Sequence, residues 1–430
     1  MDNHISRRRL LRTLGGVSMG VAGAQLVGGR YATPARAEEL GAGTAPDAHP
    51  DARPPEFSNA LTERFGMTYP IVQAGFSAFY VTPEMVAAVS NAGGLGCLGA
   101  VPEQPDGVRK LIKATKALTS RPFGIDYVYF PLYGATVYSP GYEKDAQHPT
   151  RALNWTCTDD HIDVVIEENL PFVVFFWEFP EQRWVQRLKK AGIEVWMQLA
   201  TVDEARQAVD RGLDGIVAQG MQAGGHNRGY MVANPMPRSE VVPRIRAAVP
   251  KNIAVIGAGG VADGRTLATC LREGADAAWA GTVYASCAES YAHEEYKRRV
   301  IAVQDGWQET GPSRLFGPEW PQGFTRAIRN GVMREWAHKE DLYTTPPPPP
   351  AVIGTHKLMP WTVPGGVPYA MPKFSLCIPT RDTEGDFEEM CLLAGAESAP
   401  LVKEIRKAAD ITRDMGEGAR KILLRERRKG

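Results

Sequence analysis

Several kinds of segment are missing from this chain. No apolar run reaches the roughly 18 residues that a membrane-spanning helix needs. No C-x-x-C pair or Cys/His cluster offers a zinc site. The first apolar run is not followed by the Gly-x-Gly-x-x-Gly turn of dinucleotide-binding sheets. Charge of either sign is not in surplus: Lys+Arg and Asp+Glu stand at 49 each, so no basic face is left over for nucleic acid. The six cysteines, Cys97, Cys157, Cys270, Cys287, Cys377 and Cys391, are widely spaced. Cys97, Cys270 and Cys287 lie in apolar contexts and read as small core residues, whereas Cys157, Cys377 and Cys391 could pair. With 43% hydrophobic and 23% charged residues over 430 positions, the composition is globular and excludes disordered and fibrous classes.

What is present begins with Ser6-Arg7-Arg8-Arg9-Leu10-Leu11-Arg12, a twin-arginine pattern. A weakly apolar, Gly- and Ala-rich run over 14–29 follows, and then Ala35-Arg36-Ala37, a small-x-small cleavage pattern. Residues 1–37 therefore read as a signal for the twin-arginine export machinery, which places the mature protein in the periplasm or outside the cell. The alternatives are a basic, disordered arm or a short membrane anchor, although the apolar run is too short and glycine-rich to span a bilayer. Removing 1–37 takes away six Lys+Arg and one Asp and leaves a net charge of −5. That route carries proteins already folded, commonly around a cofactor.

Residues 38–56, rich in Ala, Gly, Pro and Asp, read as a flexible linker. From Phe57 onward short apolar runs alternate with helical patterns. Strands are predicted over 70–74, 96–100, 123–127, 172–176, 194–199, 216–218, 253–257 and 277–280. Helices are predicted over 83–92, 105–118, 159–168, 181–191, 202–211, 239–249 and 263–273. Eight strands alternating with helices point to an α/β fold, a (β/α)8 TIM barrel occupying 57–342, with a doubly wound open sheet as the rival. An insertion from Tyr127 to Thr158, rich in Tyr, Phe, Pro and Gly, reads as a lid or as a satellite cluster under a long loop. Residues 343–383 carry a five-proline run and read as Pro-rich and irregular. The final 384–430 read as a helical extension over 386–394 and 399–427 that packs on the barrel.

A barrel of this kind places its chemistry at the C-terminal ends of the strands. Read there, the chain gives Gln73-Ala74-Gly75-Phe76, Ile125-Asp126, Phe176-Trp177-Glu178, Met197-Gln198, Gly257-Ala258-Gly259-Gly260 and Gly281-Thr282. The centre is the stretch from Ile216 to Tyr230, a buried strand ending in a glycine-rich turn with Gln219, Gly224, Gly225 and His226. Adjacent glycines would let a flat ring lie against the backbone with His226 over one face; the plain alternative is a tight turn with an ordinary loop histidine. Gly259-Gly260 before a helix capped by Asp263, and Gly281-Thr282 before another, fit a phosphate site between the loops after strands seven and eight.

Three motifs carry a resemblance. They are Ala92-Gly93-Gly94-Leu95-Gly96-Cys97-Leu98-Gly99-Ala100, Gln219-Gly220-x-x-Ala223-Gly224-Gly225-His226 and Gly257-Ala258-Gly259-Gly260-Val261-Ala262-Asp263-Gly264-Arg265. In these the sequence resembles the nitronate monooxygenase family, FMN-containing barrels formerly called 2-nitropropane dioxygenases, over residues 61–126, 171–300 and 392–402. The resemblance implies that Ala74, Gly75, Phe76, Asp126, Gln198, Gln219, Gly224 and Gly225 lie along the flavin. It implies that Ala258, Gly259, Gly260, Gly281 and Thr282 hold the FMN phosphate. It makes His226 the base for neutral nitroalkanes, with O2 as co-substrate and a carbonyl compound and nitrite as products. Gly75-Phe76 stands for the family's Pro-Met, Asp126 for Asn, Phe176-Trp177-Glu178 for a His-Phe-Gly type segment and Gln222 for Glu. An ionised Asp126 would repel both a nitronate and the anionic reduced flavin, so Asp126 is expected either protonated or turned toward a hydroxyl-bearing ligand. Alternatives are an NAD(P)H-dependent flavin reductase of an enoyl thioester or a quinone, and a non-catalytic ligand-binding barrel.

Overall fold

A computed structural model describes residues 54–129, 156–231, 234–317, 324–339 and 351–428, all within the unit Ala48–Gly430. The export signal, nearly all of the 38–56 linker, residues 130–155 of the insertion and the five-proline run lie outside the described residues.

The apolar runs form eight parallel strands: β1 Ile71–Gln73, β2 Gly96–Gly99, β3 Phe123–Tyr129, β4 Phe172–Trp177, β5 Glu194–Leu199, β6 Gly215–Gln219, β7 Ala254–Ala258 and β8 Ala277–Ala280. Their order is β1-β8-β7-β6-β5-β4-β3-β2. The ring closes where Leu95 N–H donates to Ile71 O (2.9 Å) and Gln73 N–H donates to Leu95 O (3.0 Å). A doubly wound sheet has no such closure, so the (β/α)8 barrel stands. Nearly every strand residue is buried, as expected of strands covered by side chains within and helices without.

Local chemistry starts the intervening helices. Thr82 caps Pro83–Asn91, which carries proline in its first turn, Thr201 caps Val202–Asp210, and Asp263 caps Gly264–Arg272. The N-terminal mouth of the barrel is plugged by the short helix Ala60–Arg64 and Phe65. The Phe65 ring meets Phe172 and Trp196 edge-on at 5.5 and 5.7 Å, while Phe172 and Trp196 stack at 4.2 Å. Access is left at the opposite mouth, where the strands end.

Two readings of the C-terminal part are corrected. Residues 351–383 are not irregular throughout: Val352–Leu358 and Val367–Pro372 pair antiparallel, and Glu384–Gly385 joins the former. No helix forms over 386–394. The Asn330 side-chain amide donates to Phe387 O (3.1 Å) and Met390 O (2.7 Å), and Val332 N–H donates to Glu388 O (2.9 Å), so carbonyls a helix would need are engaged elsewhere. Leu393 instead bridges Ala327 in extended form. Downstream, a 3-10 turn at Ala399–Leu401 precedes the helix Ala408–Arg427. A strand pair the sequence did not disclose, Thr310–Ser313 with Thr325–Ile328, runs antiparallel, and its second strand pairs with Gly225–His226.

Candidate functional site

The strand ends open into one pocket. It is lined by every residue expected along the flavin, at its phosphate or as the base, namely Ala74, Gly75, Phe76, Asp126, Gln198, Gln219, Gly224, Gly225, His226, Ala258, Gly259, Gly260, Gly281 and Thr282, whereas Trp177, Glu178, Met197 and Gln222, also read at strand ends or loops, do not line it.

One end of the pocket is built from main chain. After β7, Gly259 (φ 105°) and Gly260 (φ 74°) take backbone conformations that other residues rarely adopt. The N–H groups of Gly259, Gly260 and Val261 find no protein acceptor among the described residues. The following helix is not the anion site itself, because its third N–H, Thr266 N, already donates to the Asp263 carboxylate (2.7 Å). The open donors therefore lie one turn earlier, in the glycine loop. Arg238 fixes that loop: its guanidinium donates to Gly259 O and pairs with Glu273 at 2.7 Å. Thr282 Oγ1 accepts from Gly395 N–H (3.1 Å), which leaves its own O–H to donate. A loop of free N–H groups, flanked by a hydroxyl, can hold an anion such as a phosphate.

His226 sits in a loop held from several sides. Gln219 donates to His226 O (3.1 Å) and accepts from Arg228 N–H (2.9 Å). His226 and Gly225 pair with Thr325 and Arg326. Asn227, fully buried, donates to the carbonyls of Gly220, Met221 and Ala223 and accepts from Gly229 N–H (2.8 Å). The imidazole meets the Trp177 ring edge-on at 6.1 Å, and the Arg228 guanidinium, paired to Glu204 at 2.8 Å, lies over the same ring. Trp177 itself has φ 90°, a strained conformation beside Phe176 and His226. His226 keeps some accessible surface along the pocket, yet protein encloses its ring. Burial pushes its pKa down to about 4, so the imidazole is neutral at neutral pH and able to accept a proton.

The glycines next to it need a different account from the one the sequence suggested. A Cβ on Gly224 would stand 2.5 Å from the Ala394 carbonyl carbon, so its close approach is to the C-terminal chain segment. Gly225 is set by its φ of 75°.

Asp126 projects from β3 on the side it shares with Val128, into the barrel interior. Its Oδ1 has no hydrogen-bond partner among the described residues, and burial holds its pKa well above the carboxylate range. Gly75 is its counterpart: a Cβ there would fall 2.6 Å from Asp126 Cβ and 2.5 Å from Leu98 O.

The remaining wall escapes sequence reasoning. Tyr80 follows β1, and the rule that chemistry lies after each strand could have found it. The Tyr296 ring lies tilted against Tyr80 at 5.0 Å, and its hydroxyl donates to Leu393 O (2.7 Å). Leu376, Ile378, Leu393 and Ser398 come from the C-terminal segment and close the side of the pocket, with no local signal to mark them. Among the described residues, no group of His, Cys, Asp or Glu could hold a metal ion.

Comparison with known proteins follows the same lines. The sequence matches the nitronate monooxygenase family over residues 58–414. A nitronate monooxygenase of Paraburkholderia phytofirmans is 34% identical over 258 residues, covering 56% of this chain and 70% of the relative. A nitroalkane oxidase of Streptomyces ansochromogenes is similar in structure, with a TM-score of 0.64 at 25% identity over 85% of this chain and 99% of that one. FabK of Thermotoga maritima gives 0.63 at 25% identity over 87% and 99%.

Proposed function

The chain belongs to the nitronate monooxygenase family of oxidoreductases, and from this premise we propose that it is an FMN-dependent enzyme oxidising small nitronates or nitroalkanes with O2 to a carbonyl compound and nitrite. The observation that carries this reading is the pocket at the strand ends, with open N–H donors at one end and His226 and Asp126 among its walls.

The residues fit FMN on two counts. The Gly259 to Val261 loop has donors free for a phosphate, with Gly281 and Thr282 beside it, and a Cβ on Gly281 would meet nothing nearer than 3.8 Å. Ala74, Gly75, Phe76 and Ala258 give the rest of the pocket an apolar stretch of backbone and ring, with polar groups at Asp126, Gln198, Gln219 and His226. When bound, FMN would supply the electron acceptor and the reaction with O2.

The protein's part is positioning and proton transfer. His226, neutral and enclosed, accepts the α-proton of a neutral nitroalkane; a nitronate needs no such transfer. The Gln219 and Asn227 bonds fix the loop that presents the imidazole. Phe76, Phe79, Phe176 and Leu376 give the pocket an apolar wall suited to a small carbon chain.

The test is an absorption spectrum of the purified protein, then anaerobic addition of a simple nitronate, then air. Yellow protein that bleaches and recovers with release of nitrite supports the reading. Yellow protein reduced by NADH and indifferent to nitronates would move it to a reductase of an enoyl thioester or quinone. Protein that stays colourless with added FMN would leave a non-catalytic binding barrel.

We further propose export by the twin-arginine machinery to the periplasm or cell exterior, supported by the pattern at Ser6 to Arg12 and Ala35-Arg36-Ala37. Replacing Arg7 and Arg8 by lysine should retain the protein in the cytoplasm; unchanged export would overturn this.

A further inference from the structure

We propose that Asp126 works as a neutral carboxylic acid whose O–H donates a hydrogen bond to an oxygen of the substrate's nitro group while His226 takes the α-proton. The inference rests on the nitroalkane reading above and assigns a second reacting side chain to that site.

Geometry leads to it. Among the described residues, Asp126 is the one acidic side chain on the pocket wall, 8% exposed, and its Oδ1 has no partner. An ionised carboxylate there would be buried without a donor or a cation, which is costly; the protonated form avoids that cost and offers a donor. Gly75, which has no side chain, packs directly against the Asp126 Cβ, and the residue lines the pocket.

Its neighbours agree. Behind it on β2 lies the Cys97 thiol, which burial and then Asp126 push up. In register on β2 and β4 are Gly99 and Val174, and β5 presents the uncharged Gln198. Elsewhere on the wall stand Tyr80 and Tyr296, pushed up by burial, and His226, pushed down to about 4. No lysine or arginine lines the pocket among the described residues. The wall thus carries no basic side chain and one carboxyl whose burial favours the protonated form, which suits a neutral nitroalkane. As the α-C–H bond breaks, its proton goes to the imidazole and its electron pair spreads onto the nitro oxygens. Asp126 keeps its proton and stabilises the new negative charge by donation, as a protonated acid in an apolar site can.

The experiment compares native enzyme with Asp126→Asn and Asp126→Ala, all loaded with FMN. For a neutral nitroalkane, Asp126→Ala should lower kcat/KM by about 100-fold, with Asp126→Asn, which keeps a donor, recovering part of it. For the preformed nitronate the losses should be smaller. In native enzyme kcat/KM should fall as pH rises through the raised carboxyl pKa, and Asp126→Asn should lose that alkaline limb. Infrared difference spectra should show a protonated-carboxyl band in native protein that Asp126→Asn removes. Absence of that band, or an unchanged pH profile in Asp126→Asn, would overturn the proposal even with nitrite release intact. So would variants that change only FMN affinity or flavin potential, which would place the contact on the cofactor. If native protein releases no nitrite, the function reading fails first, and the infrared band still reports the state of Asp126.

Discussion

Gly75 and Asp126 constrain each other at the level of single atoms. A methyl group at Gly75 has no free space, since Asp126 Cβ and Leu98 O both lie inside normal contact distance of it. Gly75→Ala should therefore cost about 1–3 kcal/mol, read as a lower urea midpoint with unchanged m-value. A second residue-scale expectation concerns His356, 2% exposed, with Nδ1 2.8 Å from Thr383 Oγ1 and its ring edge-on to Phe79 at 5.0 Å. Burial depresses its pKa from 6.5 to about 4. The unfolded chain takes up a proton below about pH 6.5 while the folded chain does not, so stability is present above that pH and is lost as pH falls toward 4. The loss is on the order of 3 kcal/mol, and His356→Gln should flatten this part of the pH–stability curve measured by urea unfolding. At this scale the placement of His226, Gly259, Gly260 and Gly281 on one pocket wall is legible in the sequence, because residue type and local spacing mark the strand ends. The unpartnered state of Asp126 is not, since it depends on what β2, β4 and β5 fail to offer it.

At the scale of the element, the loop from Gly220 to Met231 has little regular structure beyond the Gly225–His226 bridge and a 3-10 turn, and owes much of its shape to one buried amide. Asn227→Ala would strip donors from the carbonyls of Gly220, Met221 and Ala223 and the acceptor from Gly229 N–H. The expected cost is about 1–3 kcal/mol, with faster hydrogen exchange at Gly229 and turnover reduced through misplacement of His226. Elements whose pattern is local are read well: β5 and β8 and the helix Pro105–Leu118 have the limits that apolar runs and flanking prolines predict. The failed helix at 386–394 shows the opposite case. Its residues are compatible with a helix, but Asn330 and Val332, distant in sequence, take its carbonyls. Likewise Gly224 looks like clearance for a ligand and is in fact filled from outside by the backbone at Ala394.

Across the molecule, all six cysteines are buried and outside disulfides, Cys157, Cys377 and Cys391 included. Native protein should leave a thiol reagent such as Ellman's almost unreacted and yield six equivalents once denatured without reductant; fewer than six would mean that pairs form in the purified protein. Barrel architecture is legible from the alternation of runs, because each β-α repeat is a local event. The composition of the pocket is only half legible, because Leu376, Ile378, Leu393 and Ser398 arrive from a segment that has no period to announce its destination. That segment fixes an order of events during synthesis. A ribosome that has made all eight strands has produced the glycine loop and His226 but not the chain that packs on Gly224, bonds Thr282 and supplies Leu393 and Ser398. The pocket is therefore the last part of the protein to be finished, and a nascent chain stalled short of residue 398 carries His226 in an open trough rather than a closed pocket.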